Sequence, residues 1–358
     1  MNYQFLQFFL LFELVSTFIH AQDSAKNNLK LAAIPIINYN RTQGFSAGGM
    51  VSGYYKVNRN DTVSPSSNTG ILALYTAQQS YVLIGFQRFY LAQDRWRIVA
   101  GVGTANVNFQ FYYDDPLVAS SDFVNYTTKS SFASVQVQRK VVGKLYGGLI
   151  GQYISAKTTF AIPNAEGKDS SDERHLNNLG YIFSNDSRSN VNYPVKGVFI
   201  NFKNQFYRDW IGSNNDYTRY LINYNQFFDL SKNEKNVLAV RASFDIATGD
   251  VPFEGQSVVG SDNIRGYSQG KYRGNQVYTA QTEYRWNFYK RFGMVGFFGL
   301  ASAVENFNDI FNSKILPGIG AGLRFRMIPS EKINIGIDGA VGRGDYSISF
   351  RIGETFTR

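Results

Sequence analysis

Arg265 is the residue with the most chemistry gathered around it. It stands in the loop GSDNIRGYSQGKYRG at 260–274, where Gly260, Gly266, Gly270 and Gly274 leave little apolar side chain to pack. Such a loop needs something to hold it, and a guanidinium brings a permanent charge and five donors. The strand that follows carries charge of its own. From Val277 to Phe288 the residues alternate: Tyr278, Ala280, Thr282, Tyr284, Trp286 and Phe288 on one face, Thr279, Gln281, Glu283, Arg285 and Asn287 on the other. Period two with two unlike faces is the signature of a sheet between two environments.

Bond-making chemistry finds less support. The histidines are His20 and His175, and cysteine is absent, so thiolate metal sites and disulfides are excluded and no nucleophile–base pair stands out. The chain is read as a non-enzyme. His175, beside Glu173 and Arg174, reads as a solvated loop residue. Asp169, Asp172 and Glu173, or Asp114 and Asp115, have the oxygen chemistry for Ca²⁺, but read as loop carboxylates. Arg343-Gly344-Asp345 reads as a hairpin turn. No phosphate-cradling glycine loop or zinc spacing is present. No cofactor or metal is expected.

The elements that must position these residues are strands. Of 358 residues 16% are aromatic, and 33 Gly stand against 8 Pro, a balance that suits strands and tight turns. Mean hydropathy is −0.25, and beyond the leader no stretch reaches the length of a membrane helix. A membrane barrel tolerates that mean, because only alternate residues face lipid. The net charge of +9 raises nucleic-acid binding. The basic residues are spread over strand faces and turns without a clustered stripe, so that reading is set aside in favour of a polar lumen and groups that meet anionic lipid.

Along the chain, residues 1–21 are apolar and end in Ala21, as a secretory signal peptide would; Glu13 interrupts the run and no Lys or Arg precedes it. Residues 22–30 read as a short periplasmic segment and 31–358 as a single barrel domain. Strands are expected at 31–41, 44–57, 69–78, 80–91, 95–110, 130–140, 144–158, 174–186, 194–209, 216–230, 235–248, 272–289, 292–304, 315–328, 332–343 and 345–356. Short connections at 141–143, 231–234, 290–291 and 329–331 would lie on the periplasmic side. Longer ones at 111–129, 159–173, 250–271 and 305–314 would face outward, with 58–68 as a long exception on the short-turn side.

The run Ile264-Arg265-Gly266-Tyr267, preceded by Gly260-Ser261-Asp262 and followed by Gly270, Tyr272, Gly274 and Glu283-Tyr284-Arg285, resembles the signature loop of the BamA/TamA-type bacterial surface antigen family. Asp186 and Arg188 with Pro194 and Gly197 resemble that family's D-x-R…P-x-x-G run, and 342–356 resembles its last strand, ending on Phe356. The resemblance covers the mature chain and is specific from about residue 185 onward. It implies an all-β fold: a transmembrane antiparallel barrel of about sixteen strands, with the loop between strands 11 and 12 folded inward. It also implies that Arg265 is held by acidic wall residues, for which Glu283 and Asp338 have the right periodicity. Gly266 would supply an unusual φ and Tyr267 an amphipathic plug. The family's F-x-D-x-G is matched by Phe297, Gly299 and Ala301, without the Asp. The seam between first and last strands would involve Pro35, Gly353 and Phe356 and would open sideways.

The function implied by the resemblance is protein insertion or export at the outer membrane of a Gram-negative-type bacterium, although no room is left for the periplasmic POTRA domains most relatives carry. Partners would be outer-membrane lipid and lipopolysaccharide, with unfolded outer-membrane proteins or envelope-complex subunits beside them, and no nucleic acid. A passive pore, or a structural surface-antigen barrel docked onto a larger envelope complex, are the alternatives.

Overall fold

A computed structural model describes residues 29–40, 43–115, 120–161, 170–260 and 263–356. The leader and nearly all of the 22–30 segment lie outside the described residues. The strands are β1 Leu29–Asn40, β2 Gly44–Tyr55, β3 Ser67–Thr76, β4 Tyr81–Leu91, β5 Trp96–Asp115, β6 Ser120–Val142, β7 Leu145–Ala161, β8 Ser170–His175, β9 Asn178–Asp186 and β10 Gly197–Tyr207. They continue as β11 Tyr217–Asp229, β12 Asn236–Gly249, β13 Ser257–Val259, β14 Tyr272–Gly274, β15 Gln276–Tyr289, β16 Phe292–Val304, β17 Leu316–Ile328, β18 Ile333–Gly342 and β19 Asp345–Ile352. β8 and β9 pair with β7 one after the other and form a single wall strand. Sixteen wall strands, every neighbouring pair antiparallel, therefore close into a barrel through β1–β19. β13 and β14 form a separate two-stranded ribbon in the loop that precedes β15. Helical structure among the described residues is limited to short 3₁₀ turns.

Alternation builds the wall. On β15, Tyr284, Trp286 and Phe288 are exposed, whereas Thr279, Gln281, Glu283 and Arg285 are buried. On β16, Met294, Phe298 and Leu300 point outward and Val295, Phe297 and Ala301 inward. A belt of outward apolar side chains around a closed sheet, with charge kept inside, is the arrangement a bilayer selects: closure pairs the edges that an open sheet would leave in hydrocarbon, except along the short β1–β19 seam.

Four expected segments come out differently. Residues 111–129 and 159–173 are not simply loops: β5, β6, β7 and β8 carry the ladder on, through Asp115↔Ser120 and Phe160↔Ser170, into hairpins longer than the wall needs. Thr and Tyr along these stretches favour extended pairing. Residues 272–274 do not begin wall strand 12; they belong to the loop ribbon, and the wall resumes at Gln276. The last strand stops at Ile352 instead of running to 356.

Candidate functional site

The loop between β12 and β15 enters the barrel and lies on the inner faces of β15 to β18. Its entry is a tight turn in which Gly260 O accepts from Asn263 N at 2.9 Å and Ile264 N at 2.8 Å, while Gln281 Nε2 donates to Asn263 O. Gly266 has φ +100°, and a Cβ there would strike the Val341 backbone. The close approach is mutual, since a Cβ on Gly342 would collide with the Tyr267 ring. Tyr267 Oη donates to Pro317 O at 2.6 Å and accepts from Arg343 N at 2.8 Å. Ser268 N donates to Asp345 Oδ2 at 2.8 Å. Gly270, at φ +83°, turns the chain out toward Tyr126 of β6. Ile264 and Tyr267 pack with Val277, Ala301 and Leu316 in an apolar cluster above the charges.

Below that cluster, Arg265 Nη1 meets Glu283 Oε2 at 2.7 Å and Asp338 Oδ2 at 3.0 Å. Its guanidinium lies 3.3 Å from the centre of the Phe297 ring, a cation–π contact. The two carboxylates belong to a wider network. Glu283 Oε1 accepts from Arg285 Nε at 2.9 Å. Asp338 also takes Arg324 Nη1 at 2.5 Å and Arg351 Nε at 3.1 Å. Small residues clear the space: a Cβ at Gly322 would sit on the Asp338 carboxylate, and one at Gly336 on Arg324. A buried guanidinium is tolerable only with such partners, because removal from water costs several kcal/mol per ion.

The C-terminal tail completes the cluster. The chain leaves the wall at Gly353, which has φ +77°, and its N–H donates to Asn334 O at 2.7 Å. Glu354 then reaches Arg324 Nε at 3.2 Å and Arg285 Nε at 3.8 Å. Thr355 O accepts from Arg285 Nη2 at 2.9 Å, and Thr355 Oγ1 donates to Glu283 Oε2 at 3.2 Å. Phe356 is 2% exposed and packs with Phe227 and Ala239 inside the barrel. A third segment arrives from the β9–β10 connection. Arg285 Nη1 donates to Pro194 O at 3.2 Å, and Asn287 Nδ2 donates to Tyr193 Oη at 2.7 Å. Four guanidinium groups and three carboxylates thus tie the loop, the tail and that connection to one side of the lumen.

The seam is short. β1 and β19 share two register pairs, Tyr39↔Ile348 and Asn40↔Ser347, whereas β1 and β2 pair along all 12 residues of β1. Further down, Ala32, Ile34 and Ile36, on the lumen face of β1, join one apolar cluster with Ile333, Ile335, Phe350 and Ile352 from the outer face of β18 and β19. Opposite faces meet this way only if the two ends of the sheet overlap. Lys30 Nζ, 2.9 Å from Glu331 Oε1 and 2.8 Å from Ser330 Oγ in the β17–β18 turn, marks the far edge of the overlap.

Of the residues read from the sequence, Arg265, Glu283 and Asp338 come together, with Gly260, Ile264, Gly266, Tyr267 and Gly270 shaping the loop around them. Pro35 lies in β1, paired with Gly49 of β2 and flanked by the overlap residues Ile34 and Ile36. The other two seam residues need correction. Gly353 ends the wall, and Phe356 lies inside the barrel because the left-handed turn at Gly353 redirects the chain. The motifs do not point to Arg324, Arg351 or Glu354 as parts of the site, and Phe297 enters them only through the F-x-D-x-G match. Arg324 and Arg351 share their faces with inward polar residues, a usable signal; for Glu354 the only cue was the glycine before it. Of the carboxylates weighed for Ca²⁺, Asp172 accepts from Arg174 Nε at 2.7 Å; Asp169 and the side chains of Asp114 and Asp115 lie outside what is described.

Among solved structures, the chain is similar to BamA from Haemophilus ducreyi lacking POTRA domains 1–3, at 14% identity and a TM-score of 0.58, over 90% of this chain and 70% of that one. CdiB from Acinetobacter baumannii gives 13% identity and 0.59 over 91% and 60%. CdiB from Escherichia coli gives 10% identity and 0.59 over 91% and 63%. The chain thus spans 60–70% of the length of these structures, and at such identities the likeness is one of fold. No curated protein sequence matches. The Omp85 superfamily domain matches residues 53–356, which takes in most of the wall, the inward loop and the tail; the chain belongs to the Omp85 superfamily.

Proposed function

We propose that this chain is an outer-membrane barrel that inserts or exports other proteins by opening at the β1–β19 seam. Short turns would face the periplasm and the long hairpins the cell exterior. The seam itself carries the reading: two register pairs close it, and below them an apolar overlap stands where a ladder would otherwise run. Parting it would expose the edges of β1 and β19, and an unpaired edge templates another strand. The lumen loop, tail and ion network would brace the rest of the wall while that edge opens, with no covalent chemistry involved. Clients would be unfolded outer-membrane proteins, and the barrel would contact outer-membrane lipid and lipopolysaccharide.

Depleting the protein in its native host and quantifying the envelope proteome tests this. Loss of a subset of outer-membrane barrels is expected. An unchanged envelope, together with lost solute uptake, would favour a passive pore; co-purification in a stable complex without client loss would favour a structural docking barrel.

A further inference from the structure

Outside the ion network, a cavity of about 250 Å³ lies between the loop ribbon and the inner faces of β5, β6 and β7. Two buried groups of opposite charge line it with atoms that no hydrogen bond satisfies. One is Arg273 of β14, whose Nε and Nη1 are buried without an acceptor among the described residues. The other is Glu254, whose Oε2 is buried without a hydrogen-bond donor among the described residues and is 3.7 Å from Arg174 Nε in a loose ion pair. Arg219, the remaining cation of the lining, is already spent on Asp245 at 2.7 and 2.6 Å. Unmet buried donors and acceptors each cost a desolvation penalty of roughly 1–3 kcal/mol.

The rest of the lining suits a ring. Phe253 lies 3.5 Å beneath the Arg273 guanidinium, with Tyr126 at 5.5 Å, and Phe109 stacks on Tyr126 at 5.2 Å between ring centres. An apolar cavity of about 150 Å³ is enough for benzene, so a ring with a short charged arm fits the larger space here.

We propose that this cavity binds a free α-amino acid with an aromatic or bulky aliphatic side chain. Its carboxylate pairs with Arg273, its ammonium with Glu254, and its side chain lies against Phe253 and Tyr126. A ligand of one charge answers only one of the two buried groups, whereas a zwitterion answers both.

L-Phenylalanine titrated into the detergent-solubilised full chain, followed by calorimetry, tests this. Saturable one-to-one binding is expected, weakened at least about tenfold by Arg273→Gln and by Glu254→Gln. Phenylacetate and phenethylamine, with one charge each, should bind at least about tenfold more weakly than phenylalanine. Heat-modified gel mobility reports whether each variant folds. Should the charge variants fail to fold, Ser130→Phe, which fills the cavity and keeps both charges, must abolish binding. No saturable heat up to about 10 mM would mean that the cavity holds only water. That result, or equal binding by the folded Arg273→Gln variant or by phenylacetate, would overturn the proposal.

Discussion

The main-chain oxygen of Thr355 accepts a hydrogen bond from Arg285 Nη2 at 2.9 Å. Three residues before the end of the chain, the polypeptide has left the wall and become part of the barrel's interior. It closes on the same carboxylate oxygen, Glu283 Oε2, that receives Arg265. Loop and tail therefore share one electrostatic anchor.

Removing the tail's charge should loosen that anchor. Glu354→Ala leaves Arg324 and Arg285 each short of a carboxylate, and losing one partner of a buried pair costs about 3 kcal/mol. The temperature at which the folded, fast-migrating band converts to the unfolded one on gels should fall. Phe356→Ala should lower it further by emptying the space against Phe227 and Ala239, and the combined loss should fall short of the sum, since both residues anchor one tail and Phe356 lies 6.0 Å from the Arg265 guanidinium of the same network.

Arg265→Ala and Glu283→Gln should each lower heat resistance. Their double variant should lose less than the sum of the two, with a coupling of roughly 1–3 kcal/mol, because both remove the same contact. Strict additivity in the same gel assay would show the pair to be energetically independent despite its 2.7 Å separation.

Gly342 faces the Tyr267 ring with no room for a side chain. Gly342→Val should displace Tyr267 from Pro317 O, at roughly 1–3 kcal/mol for an overpacked contact. Lower heat resistance and faster protease cleavage within 260–274 would report it. Gly339→Val, whose added Cβ meets nothing within 4 Å, is the matched control.

Replacing 260–274 with a short Gly-Ser linker should raise single-channel conductance in planar bilayers, since the loop occupies the lumen beside β15–β18. Equal conductance in the two forms would mean that other segments close the pathway.

Much of this was legible in the residues. Alternation over 277–288 placed Glu283 and Arg285 inward and Trp286 outward, because a wall between oil and a polar lumen imposes one period on every strand. The same rule placed Asp338. It failed where the chain stopped being wall. Residues 272–274 alternate as well as any strand, yet pair with β13 inside the lumen. The tail resembles a last strand as far as Phe356, yet the wall stops at Ile352; the turn at Gly353 has a conformational cause, and Glu354's partners lie on strands far away in sequence. The overlap at the seam was illegible for a related reason. Ile34 and Ile333 look like ordinary members of opposite faces, and only the stagger of the closed sheet brings them together.

The seam remains the decisive element. Tyr39 and Ile348 face each other across it, and the chain has no native cysteine, so a Tyr39→Cys/Ile348→Cys variant can be locked and released by redox alone. The direct measurement is the folding rate of an unfolded outer-membrane protein into liposomes carrying this variant, oxidised and then reduced. Acceleration over empty liposomes in the reduced form, lost on oxidation and restored by reductant, is the predicted result. Equal acceleration with the seam locked, or none in the reduced form, would contradict it.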